Sequence, residues 1–284
     1  MKTNVLIWAA FAFLAGALLL FASCKRDKSP KVLVLYYSQN GTTKVVAEQL
    51  QQALGADIAA IEAVVPYDGD FGATIERGKK ELDEGILPEI KPLGVDVNAY
   101  DVIFLGYPIW FGTYAPPVST VLASVDFSGK KVVPFCTFGS GGLDSSVKDL
   151  QEKLPDAEIL PGYGVRAARI DAVPAEIDRF LKAGGFIKGE SVALPDFSIP
   201  CPVTEEEAAI FDAAVGDYPM MHAKAEEVAS RAVPGGVEYL FTARDLPREM
   251  PKDMPAGAVP EPRTMKVYVL AEEGQAPVYT QVVR

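Results

Sequence analysis

The sequence predicts an α/β protein, a doubly wound sheet of five parallel strands in the order 2-1-3-4-5, followed by a small α+β module. Three observations carry this. Between Lys31 and Gly185 a strand, a glycine-bearing turn and a helix recur five times, as in a parallel sheet built from crossover units. The strands read as continuous apolar runs, the pattern of strands covered on both faces. After residue 203 the alternation stops and the pattern changes class.

The elements follow in order. Val32 to Tyr36 is the first strand, and Thr43 to Leu54 places Val46, Ala47, Leu50 and Leu54 at helical spacing. Asp57 to Glu62 reads as strand two and Phe71 to Glu84 as a charged amphipathic helix. Val102 to Leu105, Lys131 to Cys136 and Glu158 to Gly164 are strands three to five. Their helices are Pro117 to Val125, Leu143 to Leu154 and Val173 to Ala183, the last stopped by Gly184-Gly185. Right-handed crossovers make 2-1-3-4-5 the economical strand order. Residues 189–203 hold three prolines and read as a linker. Thr204 with Glu207 three residues on marks a capped helix start, continued through Val215. Val237 to Ala243, Met265 to Leu270 and Val278 to Val283 are strand-like, with a long Pro-rich connection from Asp245 to Pro262. The expected domains are 31–188 and 204–284.

The first thirty residues read differently. Lys2 precedes an uncharged, mostly apolar run from Val5 to Ala22, then Ser23-Cys24-Lys25-Arg26. A basic start, an apolar stretch and small residues before a cut describe a signal peptide over residues 1–23. Phe21-Ala22-Ser23-Cys24 resembles a bacterial lipobox, with Phe where Leu is usual, which implies acylation of Cys24 and a tether over 24–30. A plain transmembrane anchor is the alternative. Either way the rest of the chain is expected outside the cytoplasm, attached to the membrane of a bacterial cell envelope.

Net charge is −11, which argues against a nucleic-acid partner, since phosphate binding needs clustered Lys and Arg. Cys136 and Cys201 are either a disulfide or two free thiols. His222 is the only histidine, with no ligand cluster at metal spacing, and reads as a surface residue. Asp68, Asp70, Glu81, Asp83 and Glu84 read as a solvated helix face. With no histidine in the first domain there is no Ser-His-Asp set, so chemistry must come from a cofactor.

Three loops carry the candidate site. Ser38-Gln39-Asn40-Gly41-Thr42-Thr43 follows strand one and opens a helix, so helix amides and hydroxyls surround a tight turn that suits a phosphate. A polar turn with a helix cap is the alternative. It lacks the Gly-Lys-Ser/Thr of a nucleotide-triphosphate loop and the three glycines of a dinucleotide fingerprint. Strand three ends in Pro108-Ile109-Trp110-Phe111-Gly112, and strand four in Thr137-Phe138-Gly139-Ser140-Gly141-Gly142. In the expected order these three strands are neighbours whose carboxyl ends face one crevice. A phosphate cradle, an aromatic wall and a run of backbone amides suit a flat, polar-edged heterocycle on a phosphorylated sugar chain. Trp110 is read as a stacking residue, with a core position as the alternative.

Residues 31 to 185 resemble the flavodoxin family. The match rests on Tyr36-Tyr37-Ser38-Gln39-Asn40-Gly41-Thr42-Thr43, on Gly106-Tyr107-Pro108-Ile109-Trp110 with Pro116-Pro117, and on Thr137-Phe138-Gly139-Ser140-Gly141, in order. The resemblance implies non-covalent FMN, its phosphate on Ser38, Asn40, Thr43 and the intervening amides. It implies Trp110 against the isoalloxazine and the Gly139 to Gly142 amides near the pyrimidine edge. Family members that stack the outer flavin face usually carry a Tyr after strand four. This chain offers only Phe138 in a Gly-rich loop, which leaves that face open and suits hydride or quinone access. Val233-Pro234-Gly235-Gly236-Val237-Glu238-Tyr239-Leu240-Phe241 resembles a cystatin-type hairpin, but only the last Gly of the protease-binding turn matches. A structural or docking role suits that module. Two functions stay open: a redox protein, either an electron carrier or an NAD(P)H- or quinone-linked flavin reductase, working with a partner protein or quinone; and a non-catalytic envelope protein that docks partners.

Overall fold

A computed structural model describes residues 29–216, 218, 221–246 and 263–284. The apolar N-terminal run, Cys24 and most of the Pro-rich connection lie outside the described residues. Among those described, no helix is long and apolar enough to cross a membrane.

The first sheet runs β1 (Val32–Tyr36), β2 (Asp57–Ala60), β3 (Val102–Trp110), β5 (Lys131–Phe138), β6 (Glu158–Ile159) and β7 (Tyr163–Arg166), with α1 (Thr42–Leu54), α2 (Phe71–Glu84), α3 (Pro116–Ser124), α4 (Leu143–Lys153) and α5 (Val173–Ala183) between them. Its order is β2-β1-β3-β5-β6, all parallel, with β7 also on β5. This is the predicted 2-1-3-4-5 order, with β6 and β7 together as the fifth strand. The predicted fifth strand is broken because Pro161, between its halves, and Pro134, opposite in β5, each lack an N–H for the ladder.

Strand residues alternate between two cores, which is why the runs are apolar throughout. Leu33, Leu35, Ile103 and Leu105 face α3 and α4 through Val118, Val121 and Leu150. Val34, Phe104, Val133 and Phe135 face α1 and α5 through Val46, Leu50, Ile177 and Leu181. With both faces covered by helices, a ligand is left the crevice at the carboxyl ends of the strands, where open α/β sheets bind theirs.

β3 extends past its predicted end and turns back into β4 (Thr113–Tyr114), pairing Trp110 with Thr113 and Ile109 with Tyr114. The two turn residues, Phe111 (φ 52°) and Gly112 (φ 88°), are both left-handed, as a tight hairpin with the right-handed strand twist demands. Phe111 is the only non-glycine residue with positive φ among those described.

The second sheet is antiparallel, in the order β12-β11-β10-β9-β8, from β8 (Cys201–Pro202), β9 (Ala223–Val233), β10 (Gly236–Asp245), β11 (Thr264–Glu272) and β12 (Val278–Val283). α6 (Glu205–Val215) packs Phe211 and Val215 onto Phe241, Val267 and Val269. Its N-terminus is the predicted reciprocal cap: the Glu207 amide donates to Thr204 Oγ1 (3.3 Å) and the Thr204 amide to Glu207 Oε2 (2.9 Å). β9 was not predicted, because its Ala- and Glu-rich sequence favours a helix; pairing with β10 along its whole length overrides that preference. The linker runs beside the outer edge of β9, with the Ser198 amide on the Ser230 carbonyl (2.8 Å) and the Val203 amide on the Glu226 carbonyl (3.2 Å). Cys136 is buried and Cys201 exposed, and both are free thiols. Burial pushes the Cys136 thiol up, away from the reactive thiolate.

Candidate functional site

The three loops meet in one cavity of about 590 Å³ at the carboxyl ends of β1, β3 and β5. Gln39, Asn40 and Thr42 come from the first loop, Pro108, Ile109, Trp110 and Phe111 from the second, and Thr137, Phe138 and Gly139 from the third. The lining holds no ionisable side chain, in a chain of net charge −11.

The first loop is wound around its own side chains. Ser38 Oγ accepts from the Gly41 and Lys44 amides, each at 3.2 Å, and Asn40 Oδ1 from the Thr42 amide at 3.3 Å. These bonds lie at the long end of the hydrogen-bonding range, where a better acceptor can replace them. Gly41 caps α1 at φ 91°, and the first turn carries no acidic residue, so nothing opposes the positive end of the helix. Thr43 is turned inward: its hydroxyl, fully buried, lies 2.8 Å from that of Thr137. That pair joins the first loop to the third.

Trp110 lines the cavity on one side and is gripped on the other. Its ring meets Tyr67 edge-on at 5.1 Å and Tyr37 at 6.2 Å. A Cβ on Gly78 of α2 would stand 2.9 Å from Trp110 Cε3, so a glycine there lets the helix approach. Behind the ring lies a polar knot that corrects one expectation. Glu81 is buried and is not part of a solvated face. It accepts from the Tyr67 hydroxyl and from Arg77 Nε (2.8 Å), one helical turn away. The Arg77 guanidinium also covers the Tyr67 ring and donates to the Val65 and Pro66 carbonyls. Gln39 donates to the Tyr67 carbonyl and accepts from the Tyr37 hydroxyl. Burial, reinforced by the Glu81 hydrogen bond, raises the Tyr67 phenol above its ordinary range, which keeps it a neutral donor. Asp70 caps α2 through the Ala73 amide. His222 is exposed, as expected.

Sequence reasoning missed the outer wall: Gly69, Phe71, Thr74 and Ile75 at the start of α2, and Ala167 after β7. Phe71 is 82% exposed and Phe111 52% exposed. The available signal was Phe71 and Ile75 at i, i+4 on a helix whose remaining face is charged.

The third loop lies against the second sheet. The Val282 amide of β12 donates to the Ser140 carbonyl (2.6 Å), and a Cβ on Gly141 would stand 2.2 Å from the Val282 carbonyl oxygen. Arg166, the last residue of β7, donates from Nε to the Gly139 carbonyl and from a terminal nitrogen to the Tyr279 carbonyl, both at 3.0 Å. Its guanidinium lies 3.4 Å from the centre of the Tyr279 ring. Ser38, Gly41, Thr43, Gly112, Ser140, Gly141 and Gly142 therefore shape the loops without contributing to the lining of the cavity.

Among solved structures, the chain is 32% identical to a candidate flavoprotein from Bacteroides eggerthii DSM 20697, over 52% of this chain and 96% of that one (TM-score 0.46). It is 28% identical to a second, from Bacteroides uniformis ATCC 8492, over 53% and 99% (TM-score 0.48). It is 25% identical to a flavoprotein in complex with FMN from Lactobacillus acidophilus NCFM, over 53% and 97% (TM-score 0.45). No curated protein matches it. A sequence model of the flavodoxins matches residues 31–173, half of the chain. That stretch takes in every strand of the first sheet and all three loops at its carboxyl edge, and it establishes that the chain belongs to the flavodoxin family.

Proposed function

We propose that this chain binds FMN non-covalently in the cavity and works as a redox protein of the bacterial cell envelope, exchanging electrons with a quinone or a partner protein. One observation carries the cofactor: a cavity without ionisable side chains, opening on a helix N-terminus free of acidic residues. That surface accepts a neutral ring at one end and an anion at the other. The first-turn amides, with the Asn40 and Thr42 side chains, would hold the phosphate. Trp110 and Phe111 would flank the isoalloxazine, and the loop at Gly139 would face its polar edge. When bound, FMN supplies redox chemistry; the residues around it bind, orient and exclude water, and none is placed as an acid or base. The exposed Phe71, Ile75 and Phe111 at the rim favour an apolar, planar partner, which supports a quinone.

The test is to purify residues 25–284, identify any flavin by visible spectrum and mass, and titrate FMN against FAD. FMN should bind more tightly, because one loop serves one phosphate. Tighter FAD, or no flavin uptake, overturns the cofactor. The chemically reduced protein should then be reoxidised by a soluble quinone faster than free reduced FMN is; no acceleration overturns the acceptor.

The envelope location is supported by the apolar run ending in Phe21-Ala22-Ser23-Cys24, with diacylation giving more than one chain for stable anchoring. Expression in bacteria should yield a lipid-labelled membrane form, and Cys24→Ser should abolish the label. Unchanged labelling and processing in that variant would rule out Cys24 as the anchor.

A further inference from the structure

The third loop of the site has two owners. Its backbone leaves β5 of the first sheet, but its carbonyls are held by groups that report on the second. The Ser140 carbonyl takes the Val282 amide. The Gly139 carbonyl takes Arg166 Nε, and the same guanidinium reaches the Tyr279 carbonyl and lies flat over the Tyr279 ring. Gln281 Nε2 adds a long contact to Asp144 of α4 (3.4 Å). Gly141 has no room for a side chain because β12 occupies that space.

We infer that the C-terminal module is a clamp on the cofactor loop, with Arg166 as the positioning residue that couples β12 to residues 139–142. The inference rests on the FMN reading for its ligand and on contacts within the chain for its mechanism. Arg166 suits the task because a planar guanidinium can bond two carbonyls in different directions while stacking on an aromatic ring. A lysine has no such fork. Each carbonyl held on the outer side of the loop fixes the peptide that presents the neighbouring amide. Docking of β12 thus selects one loop conformation in advance of the ligand. By linkage, a ligand that needs that conformation must in turn stabilise the docking of β12.

The test uses the full mature chain. FMN affinity is measured by fluorescence titration for the wild type, Arg166→Ala, Arg166→Lys and Arg231→Ala. Arg231 pairs with Glu238 in the second sheet and does not touch the loop, so it controls for general loosening. Arg166→Ala should weaken FMN at least about fivefold, the lower bound of common coupling between sites. Arg166→Lys should fall between, and Arg231→Ala should match the wild type. Hydrogen exchange gives the second readout. FMN should slow exchange of the Val282 amide in the wild type and leave it unchanged in Arg166→Ala. Equal affinity of Arg166→Ala and wild type, or equal weakening by Arg231→Ala, overturns the clamp. If the wild type takes up no FMN, the cofactor reading falls and the clamp is judged in the free protein. Arg166→Ala must then speed exchange of the residue 140–142 amides, and unchanged exchange overturns it.

Discussion

Trp110→Ala should destabilise the first domain by roughly 3 kcal/mol, the low end for removing a buried aromatic side chain, because the ring is only partly buried. The loss is structural before it is functional. Trp110 fills the space between Gly78 and the Tyr37–Tyr67 pair, and both tyrosines lose an edge contact with it. The proposed FMN site loses a wall as well, by about 0.5–1.5 kcal/mol for the aromatic contact plus the buried area. Urea denaturation of the free protein measures the first effect; the affinity of the variant for FMN, with its bound fluorescence, measures the second. Bound flavin should become brighter without the indole to quench it. If stability falls while affinity and fluorescence stay as in the wild type, Trp110 is a packing residue alone.

Gly106→Ala should cost about 3 kcal/mol, the upper end of the usual penalty for overpacking. A Cβ at Gly106 would stand 2.1–2.7 Å from three atoms of the Phe135 ring. Phe135 is fully buried on the neighbouring strand, so neither a rotamer change nor a strand shift is free. The second site tests the cause: Phe135→Leu in the same chain should recover part of the loss, a coupling visible in a double-mutant cycle. Additive effects would place the cost elsewhere.

What was legible in the sequence was what periodicity and turn chemistry determine locally. The apolar runs gave the strands, Gly184-Gly185 marks the end of α5, with Gly185 at φ 70°, and Thr204 with Glu207 gave a cap that the structure reproduces. The three loops were placed together because strand order alone brings them together. The unread part depends on contacts distant in sequence. Glu81 looks like its charged neighbours until Tyr67 is known to lie beside it. β9 carries helix-forming residues and becomes a strand only against β10. Nothing near Gly141 announces that Val282, far along the chain, will rest on it.

The borders of the second sheet bear on how this protein can be taken apart. One border is shielded by the chain that leads into it, through Ser198 and Val203. The other rests on the loop after β5 and on Arg166 of the first sheet, through Val282 and Tyr279. A fragment cut after the linker would bare the unpaired backbone along both flanks at once, a template for sticking to further copies of itself. The two halves are therefore poor interchangeable cassettes. A soluble excised version of the second half would have to keep residues 198–203 and blunt β12 with charge or proline, whereas the full chain needs no such change in β12.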